Sequence, residues 1–400
     1  MSATSPTAAT AAWPDPFVRA ATADLDPPLA AVDLTVLRAN AADLVRRAAG
    51  RPLRVASKSV RCRAVLAEVL GPELTAAGGF AGIMSYSLAE AIWLVRGGAR
   101  DVLLGYPTAD RAALAELAGD TGLLEAITLM VDDTAQLDVI RAAVGSEKVA
   151  PRICLDVDAS LRLGPLHLGV RRSPVRTPEQ AAALAARARA DGFRVVGVMT
   201  YEAQIAGLPD TSLAVRLVKK ASARDIERRR AAVLDAVVAV AGPLEIVNSG
   251  GTGSIELSAA ATGVTEITAG SGLYVPTLFD DYRSFRPRPA LYFALPVLRR
   301  PASDIATVFA GGYIASGPAG SSRVPKPVWP KGLRLLGTEG AGEVQTPLSG
   351  KSAPEIGDRV WFRHAKAGEL CERFDRLYLV DSDGTRVEVP TYRGEGKCFG

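Results

Sequence analysis

The chain has 400 residues, 48% hydrophobic and 22% charged, with a formal net charge of +4. That length exceeds one ordinary core and predicts a large domain plus a smaller one. The weak charge, with no long Lys/Arg block, argues against nucleic acid as a partner, and Arg228-Arg229-Arg230 reads as the solvated face of a helix. Four cysteines without a CxxC spacing point away from a disulfide scaffold and toward a reducing compartment. No apolar run reaches membrane-spanning length.

The opening residues are rich in Ala, Thr, Ser and Pro, so residues 1–26 are expected to be disordered. They lack a basic start and an apolar h-region, so no signal peptide is expected and the location is read as cytoplasmic. A short run at Leu29–Leu34 comes next. Strand-like runs then recur at Leu53–Ser57, Phe80–Tyr86, Asp101–Gly105, Ile127–Val131, Arg152–Val157, Phe193–Thr200, Leu244–Asn248 and Glu266–Ala269. Ala/Leu/Arg/Glu-rich segments separate them; Pro178–Ala190 is typical, with Thr177 as N-cap and Pro178 at the first helical position. Eight strands, each followed by a helix, predict an α/β fold, a (β/α)8 TIM barrel over residues 27–275. A doubly wound sheet is the rival, but the Gly-rich fingerprint after its first strand is missing.

From residue 276 the texture changes. Proline becomes frequent, helical periodicity disappears, and short strands are expected at Ala290–Leu298, Ile305–Ala310, Arg359–Phe362 and Arg376–Val380. Residues 276–400 therefore read as a C-terminal β-domain, and Leu29–Leu34 is a candidate to pair with it.

In such a barrel the chemistry gathers at the C-terminal ends of the strands, and phosphate groups often bind after the last two. Both of those loops are rich in glycine. After the seventh barrel strand comes Asn248-Ser249-Gly250-Gly251-Thr252-Gly253-Ser254, and the eighth leads into Ala269-Gly270-Ser271-Gly272-Leu273-Tyr274. Successive N–H groups opening a helix make an anion cradle. A Cβ at Gly251 or Gly272 is expected to intrude on the anion or to forbid a positive φ.

Lysine is scarce: nine stand against 38 arginines, and Lys58 is the only one before residue 148. It ends the first barrel strand, where burial can lower the pKa of an amine toward a nucleophilic value. A strand-tip lysine facing a phosphate site invites pyridoxal 5'-phosphate, with the aldehyde held by Lys58 as an imine. Arg162 follows the fifth barrel strand in Asp156-Val157-Asp158-Ala159-Ser160-Leu161-Arg162-Leu163-Gly164 and can face the ring's phenolate or a substrate carboxylate. Tyr201 and Gln204, after the sixth, are placed beside the ring.

Taken in order, Pro28-Leu29, Val32-Asp33-Leu34, Lys58, Asp156-x-Asp158, Arg162-x-Gly164, Ser249-Gly250-Gly251-Thr252-Gly253, Gly272-x-Tyr274 and Gly357-Asp358-Arg359-Val360 through His364 resemble a known family. It is the fold-type III pyridoxal-phosphate enzymes, in particular the D-threonine aldolase and D-serine dehydratase group, and the resemblance spans nearly all of residues 27–385. It implies an alanine-racemase-type barrel with a β-domain. It also implies a homodimer whose active site lies where one subunit's β-domain closes over its partner's barrel mouth.

The chain departs from that pattern twice. The group carries histidines around its lysine, whereas here the run is Val55-Ala56-Ser57-Lys58-Ser59-Val60-Arg61. Relatives also bind a divalent ion through a β-domain His and a Cys or Asp two residues later. Here His364 is kept but Lys366 takes the second place, and an ammonium cannot coordinate. Glu369 or Cys371 completes a metal site only if the loop folds back; otherwise Lys366 supplies the positive charge. His167 reads as structural.

The resemblance implies a lyase acting on β-hydroxy D-amino acids as small-molecule substrates, with Lys58 as the base on one face. Helping chemistry at the β-oxygen would come from His364, Lys366 or an ion they hold. A racemase would need a second acid/base on the opposite face, with Tyr313 as candidate. A non-catalytic pyridoxal-phosphate carrier is the third reading, and the extra β-domain argues against it.

Overall fold

A computed structural model describes residues 13–145, 150–210, 212–282, 285–286 and 288–400. The eight expected barrel strands are all present. They are β2 (Leu53–Ala56), β3 (Phe80–Ser85), β4 (Val102–Leu104), β5 (Ile127–Val131), β6 (Arg152–Asp156), β7 (Arg194–Thr200), β8 (Ile246–Ser249) and β9 (Glu266–Ala269). Each pairs in parallel with the next, and β9 pairs with β2, which closes the ring. The short apolar runs are buried on both faces, as parallel strands must be when helices wrap the outside. The helix Pro178–Ala190 has the foreseen start, with Thr177 capping it in a reciprocal capping box with Gln180.

Inside the barrel, Leu103, Met130, Cys154, Val196, Met199 and Ile246 form an apolar plug. At its N-terminal end sits a buried guanidinium. Arg54 binds both oxygens of Glu266 at 2.7 Å and both oxygens of Asp101 at 3.0 and 2.9 Å. A side chain only 2% exposed needs those partners, since an unpaired buried charge is costly.

The C-terminal domain holds β10 (Leu291–Ala302), β11 (Ile305–Phe309), β12 (Lys326–Trp329), β13 (Gln345–Ser349), β14 (Arg359–Arg363), β15 (Arg376–Val380) and β16 (Arg386–Pro390). The N-terminal run Leu29–Asp33, here β1, lies in this sheet and not in the barrel. It pairs antiparallel with β10 (Leu29 opposite Ala294) and parallel with β15 (Ala31 opposite Tyr378). All five of its residues are buried.

Two expectations need correction. Residues 13–26 are ordered: Asp15 caps the helix Pro16–Ala21, and its Val18 is fully buried in a cluster with Leu29, Tyr292 and Trp361. Arg359 fixes the following turn through the carbonyls of Thr22, Ala23 and Leu25. Apolar anchors against the β-domain thus outweigh the low-complexity composition; residues 1–12 of that expectation lie outside the described residues. The second concerns Arg228-Arg229-Arg230, of which only Arg228 is a solvated side chain. Arg229 donates to the Asp158 carbonyl at 2.6 Å, and Arg230 is buried against Thr200 and Ser249. No helix among the described residues is long and apolar enough to cross a membrane.

Candidate active site

A cavity of about 570 Å3 opens at the C-terminal mouth of the barrel. Lys58 stands in the short 3-10 turn Ser57–Ser59 that follows β2, and Ser57 pins that turn by donating to the Met84 carbonyl at 3.0 Å. The Lys58 ammonium donates to the Tyr106 hydroxyl. Tyr106 comes after β4. Burial raises its pKa, but the Lys58 charge and hydrogen bond, with Arg172, outweigh that and bring it below its ordinary value.

Across the cavity lie Gly250, Gly251 and Thr252 after β8, and Gly270 and Ser271 after β9. The two loops are clasped together, because Thr252 Oγ1 accepts from Gly272 N at 3.0 Å and from Ser271 Oγ at 3.2 Å. Gly250 has a φ of +93°. Gly251 and Gly272 do not need a positive φ; they are small for packing, which corrects part of the expectation for them. A Cβ on Gly251 would lie 2.8 Å from Ala206 Cβ and 3.3 Å from Tyr201 Cε2, and one on Gly272 would lie 2.7 Å from Thr252 Cγ2.

Beneath the first loop is a carboxylate that the sequence did not reveal. Glu202 is fully buried and accepts from Ser249 Oγ (3.1 Å), Gly250 N (3.4 Å), Ser254 Oγ (2.8 Å) and Ser258 Oγ (2.9 Å). Arg230 faces the same cluster through Ser249 Oγ at 3.2 Å. The conformation of the glycine loop is therefore set by a charge-assisted network below it.

Tyr201 lines the cavity, its hydroxyl pushed up to about 12 by burial and by Tyr106 and Glu202. Arg162 does not line it. The chain turns back in a hairpin, Leu161–Leu163 against Leu166–Leu168, and Arg162 is carried out to pair with Asp158 at 2.9 Å. Arg172 does line the cavity, with Arg61 and Arg323, and its guanidinium lies 5.6 Å from the Tyr106 ring centroid and 5.8 Å from that of Tyr201. Gln204 is buried and donates to the Ala159 carbonyl at 2.6 Å, supporting the hairpin and not the cavity. Ser249, Gly253, Gly272 and Tyr274 also stand behind the lining; the fully buried Tyr274 donates to the Val60 carbonyl. His167 shares a hydrogen bond with Val170 O within the hairpin. Asp156, at the end of β6, lines the cavity, and its carboxyl is pushed up to about 7 by burial and by Asp132, against the pull of Arg172.

The chain's own β-domain, where the resemblance implied the partner's, forms the remaining wall with Ser316, Arg323, Lys366, Ala367 and Glu369. Gly368 makes that approach possible: its φ is +80°, and a Cβ there would fall 2.0 Å from the Lys58 carbonyl oxygen. Lys366 Nζ donates to Ser316 Oγ at 2.8 Å and lies 3.8 Å from Glu369 Oε1. Glu369 accepts from Ser316 through both oxygens, at 2.6 and 2.8 Å.

His364 is 3% exposed and stands outside the main cavity, facing a smaller one of about 160 Å3 that Lys366, Glu369 and Tyr313 also line. Neither ring nitrogen makes a hydrogen bond of good geometry, and burial with the Arg363 charge pushes its pKa down to about 3 against a weaker pull from the Leu291 backbone. Cys371 points elsewhere, its Sγ 3.3 Å from the Val60 carbonyl, and burial raises the thiol far above its ordinary range. Among the described residues no group of three His, Cys, Asp or Glu side chains converges as a metal site.

A closed eight-stranded parallel barrel, a lysine after its first strand, glycine loops after its last two and a mostly-strand domain over the mouth define the alanine-racemase type of fold, the fold type III of pyridoxal-phosphate proteins. The family model for the alanine racemase N-terminal domain matches residues 32–277, and the chain belongs to that family. Among solved structures, the D-threonine aldolase from Filomicrobium marinum is similar at TM-score 0.76 and 22% identity, covering 93% of this chain and 96% of that one. The D-threo-3-hydroxyaspartate dehydratase from Delftia sp. HT23 follows at TM-score 0.71 and 21% identity, with 92% and 98% covered. An alanine racemase from Clostridium difficile 630 is similar at TM-score 0.64 and 15% identity, with 92% and 99% covered. At these identities the likeness establishes the fold. No curated protein sequence matches the chain.

The cavity residues fit the cofactor that the family implies. Lys58 is an amine at one wall; Thr252, Ser271 and the closely packed glycine backbone form a cradle at the other, and a Cβ at Gly270 would meet the Ala56 carbonyl at 2.6 Å. A cavity of this volume is in the range that holds a small cofactor together with an amino acid.

Proposed function

We propose that the chain is a pyridoxal-phosphate-dependent lyase acting on D-amino acids that carry a β-hydroxyl, by aldol cleavage or by dehydration. The observation that carries this reading is that two amines from two domains, Lys58 and Lys366, line one cavity onto which the glycine loops open. Pyridoxal phosphate, when bound, supplies the electron sink that weakens bonds to the substrate Cα. Thr252, Ser271 and the loop backbone hold its phosphate, and Glu202 keeps that loop in place. Arg172 holds a carboxylate or phenolate at the mouth. Lys58, oriented by Tyr106, exchanges a proton with Cα, and Lys366 serves the β-oxygen. The names of the aldolase and dehydratase above support the D-configuration and the β-hydroxyl.

The racemase reading has less support. Tyr313 packs against Phe293 and Phe374, with centroids 5.2 and 5.7 Å away, and lines the smaller cavity. The carrier reading has no use for a β-domain wall bearing Lys366. A homodimer in the cytoplasm completes the proposal, and sedimentation of the purified protein checks its assembly.

The deciding experiment incubates the cofactor-loaded protein with D- and L-serine and D- and L-threonine and measures carbonyl products. Product from the D-forms alone supports a lyase, exchange of enantiomers a racemase, and no turnover a carrier. Borohydride should fix the cofactor to Lys58 in peptide maps; an adduct on another lysine would refute the assignment.

A further inference from the structure

We infer that Lys366 stands in the place of a divalent metal, as a fixed cation in the β-domain wall, and that it gives the proton to a departing β-hydroxyl in a metal-free dehydration. This rests on the lyase reading for its substrate and narrows it to one of the two bond cleavages. The metal that relatives imply does not fit these residues. His364 has free nitrogens but lacks companions: Cys371 is turned toward the Val60 carbonyl, and Glu369 is engaged by Ser316 through both oxygens. Glu372, the other carboxylate on the small cavity, is paired with Arg61, and the Lys366 ammonium there repels a divalent cation and offers it no lone pair.

The same neighbours suit a lysine well. Ser316 Oγ takes one of the three ammonium protons at 2.8 Å, and Glu369 Oε1 lies 3.8 Å away, so the head group is held with its remaining donors free. Gly368 brings this loop against the Lys58 backbone, so the two amines serve a single substrate. An ammonium is an acid, and an acid is what a leaving hydroxyl needs; an aldol cleavage needs a base there. In the step, Lys58 takes the Cα proton and the Cα–H electron pair forms a Cα–Cβ double bond. The Cβ–O pair leaves with oxygen, which takes a proton from Lys366 and departs as water. Hydrolysis of the released enamine gives a 2-oxo acid and ammonia. Returning the Lys58 proton to solvent and a solvent proton to Lys366 restores both residues.

The test uses the cofactor-loaded protein. Elemental analysis should find no stoichiometric metal, and EDTA should leave 2-oxo acid formation from D-serine or D-3-hydroxyaspartate unchanged. Lys366→Ala should lower that rate by roughly a hundredfold or more, with the cofactor absorbance intact. It should still exchange the substrate Cα proton with deuterium, because Lys58 remains. Lys366→Cys should acquire zinc binding with His364, seen by titration of the resting protein. Stoichiometric metal in active wild-type protein, wild-type rates in Lys366→Ala, or loss of Cα exchange together with elimination would each overturn the inference. If the wild-type protein neither exchanges the Cα proton nor turns over any β-hydroxy D-amino acid, the lyase reading fails and takes the proton-transfer role with it. The metal analysis and the zinc titration then still decide whether Lys366 excludes a metal.

Discussion

Replacing Glu202 with Gln keeps the shape of the side chain and removes its charge. The native carboxylate accepts four hydrogen bonds, three of them from serine hydroxyls and one from Gly250 N. An amide has one accepting oxygen, and its NH2 must find acceptors where the native site presents donors. The amide oxygen can keep Gly250 N and Ser249 Oγ, but the NH2 then faces the Ser254 and Ser258 hydroxyls, which must rotate to accept, and every bond loses its charge assistance. A hydrogen bond to a charged group is worth about 1.5–3 kcal/mol. Arg230, with a side chain 3% exposed, keeps its contact with the exposed carboxylate of Glu227 but loses the charge below the loop. Together these predict a loss of about 3 kcal/mol in stability, roughly a hundredfold in the folding equilibrium. Denaturant unfolding of the apo protein measures that loss. Cofactor titration by absorbance should show a weaker affinity, because Gly250 and Gly251 are no longer held in place. A variant with unchanged unfolding midpoint and unchanged cofactor affinity would refute the claim that the buried carboxylate organises the loop.

Three further outcomes follow from the geometry. Gly251→Val should weaken cofactor binding more than it lowers apo stability, since its Cβ presses on Tyr201 and Ala206 at the cavity wall; spectroscopic titration alongside thermal unfolding separates the two. Asp156, raised from 3.8 to about 7 in the folded protein, binds its proton more tightly there than in the unfolded chain, so its contribution to stability falls as pH rises from about 4 to about 7. Asp156→Asn should therefore flatten the pH dependence of stability in that window, and an unchanged slope would count against the raised carboxyl. In the native state a thiol reagent should label Cys398 and spare Cys62, Cys154 and Cys371, which are buried, as mass mapping after brief treatment will reveal.

The barrel was legible because each strand is a short apolar run between amphipathic segments. Ile127–Val131 and Glu266–Ala269 match to the residue. Lys58 and the two glycine loops were legible because the fold fixes which strand ends carry chemistry. The same rule applied to the third and sixth barrel runs would have flagged Tyr106 and Glu202. Glu202 was hidden because nothing local distinguishes a buried carboxylate from a solvated one; its partners lie about fifty residues along the chain. Arg172 stands at the cavity where Arg162 was expected because a hairpin between them reverses the chain, and that pairing is too short to carry a clear alternation. The order in residues 13–26 was hidden for a related reason, since its anchors Tyr292 and Trp361 are distant in sequence.

The position of β1 has a consequence for how the protein is made and how it moves. The barrel runs as an insert between the first strand of the β-domain sheet and its remaining strands. On a ribosome the barrel can close while β1 waits, unpaired, for β10 and β15 to emerge. In the finished molecule two separate chain crossings join the domains, so the wall carrying Lys366 cannot swing away on a single tether. Deleting residues 1–33 would open the β-domain sheet at its middle and loosen a cavity wall to which residues 13–33 contribute no side chain.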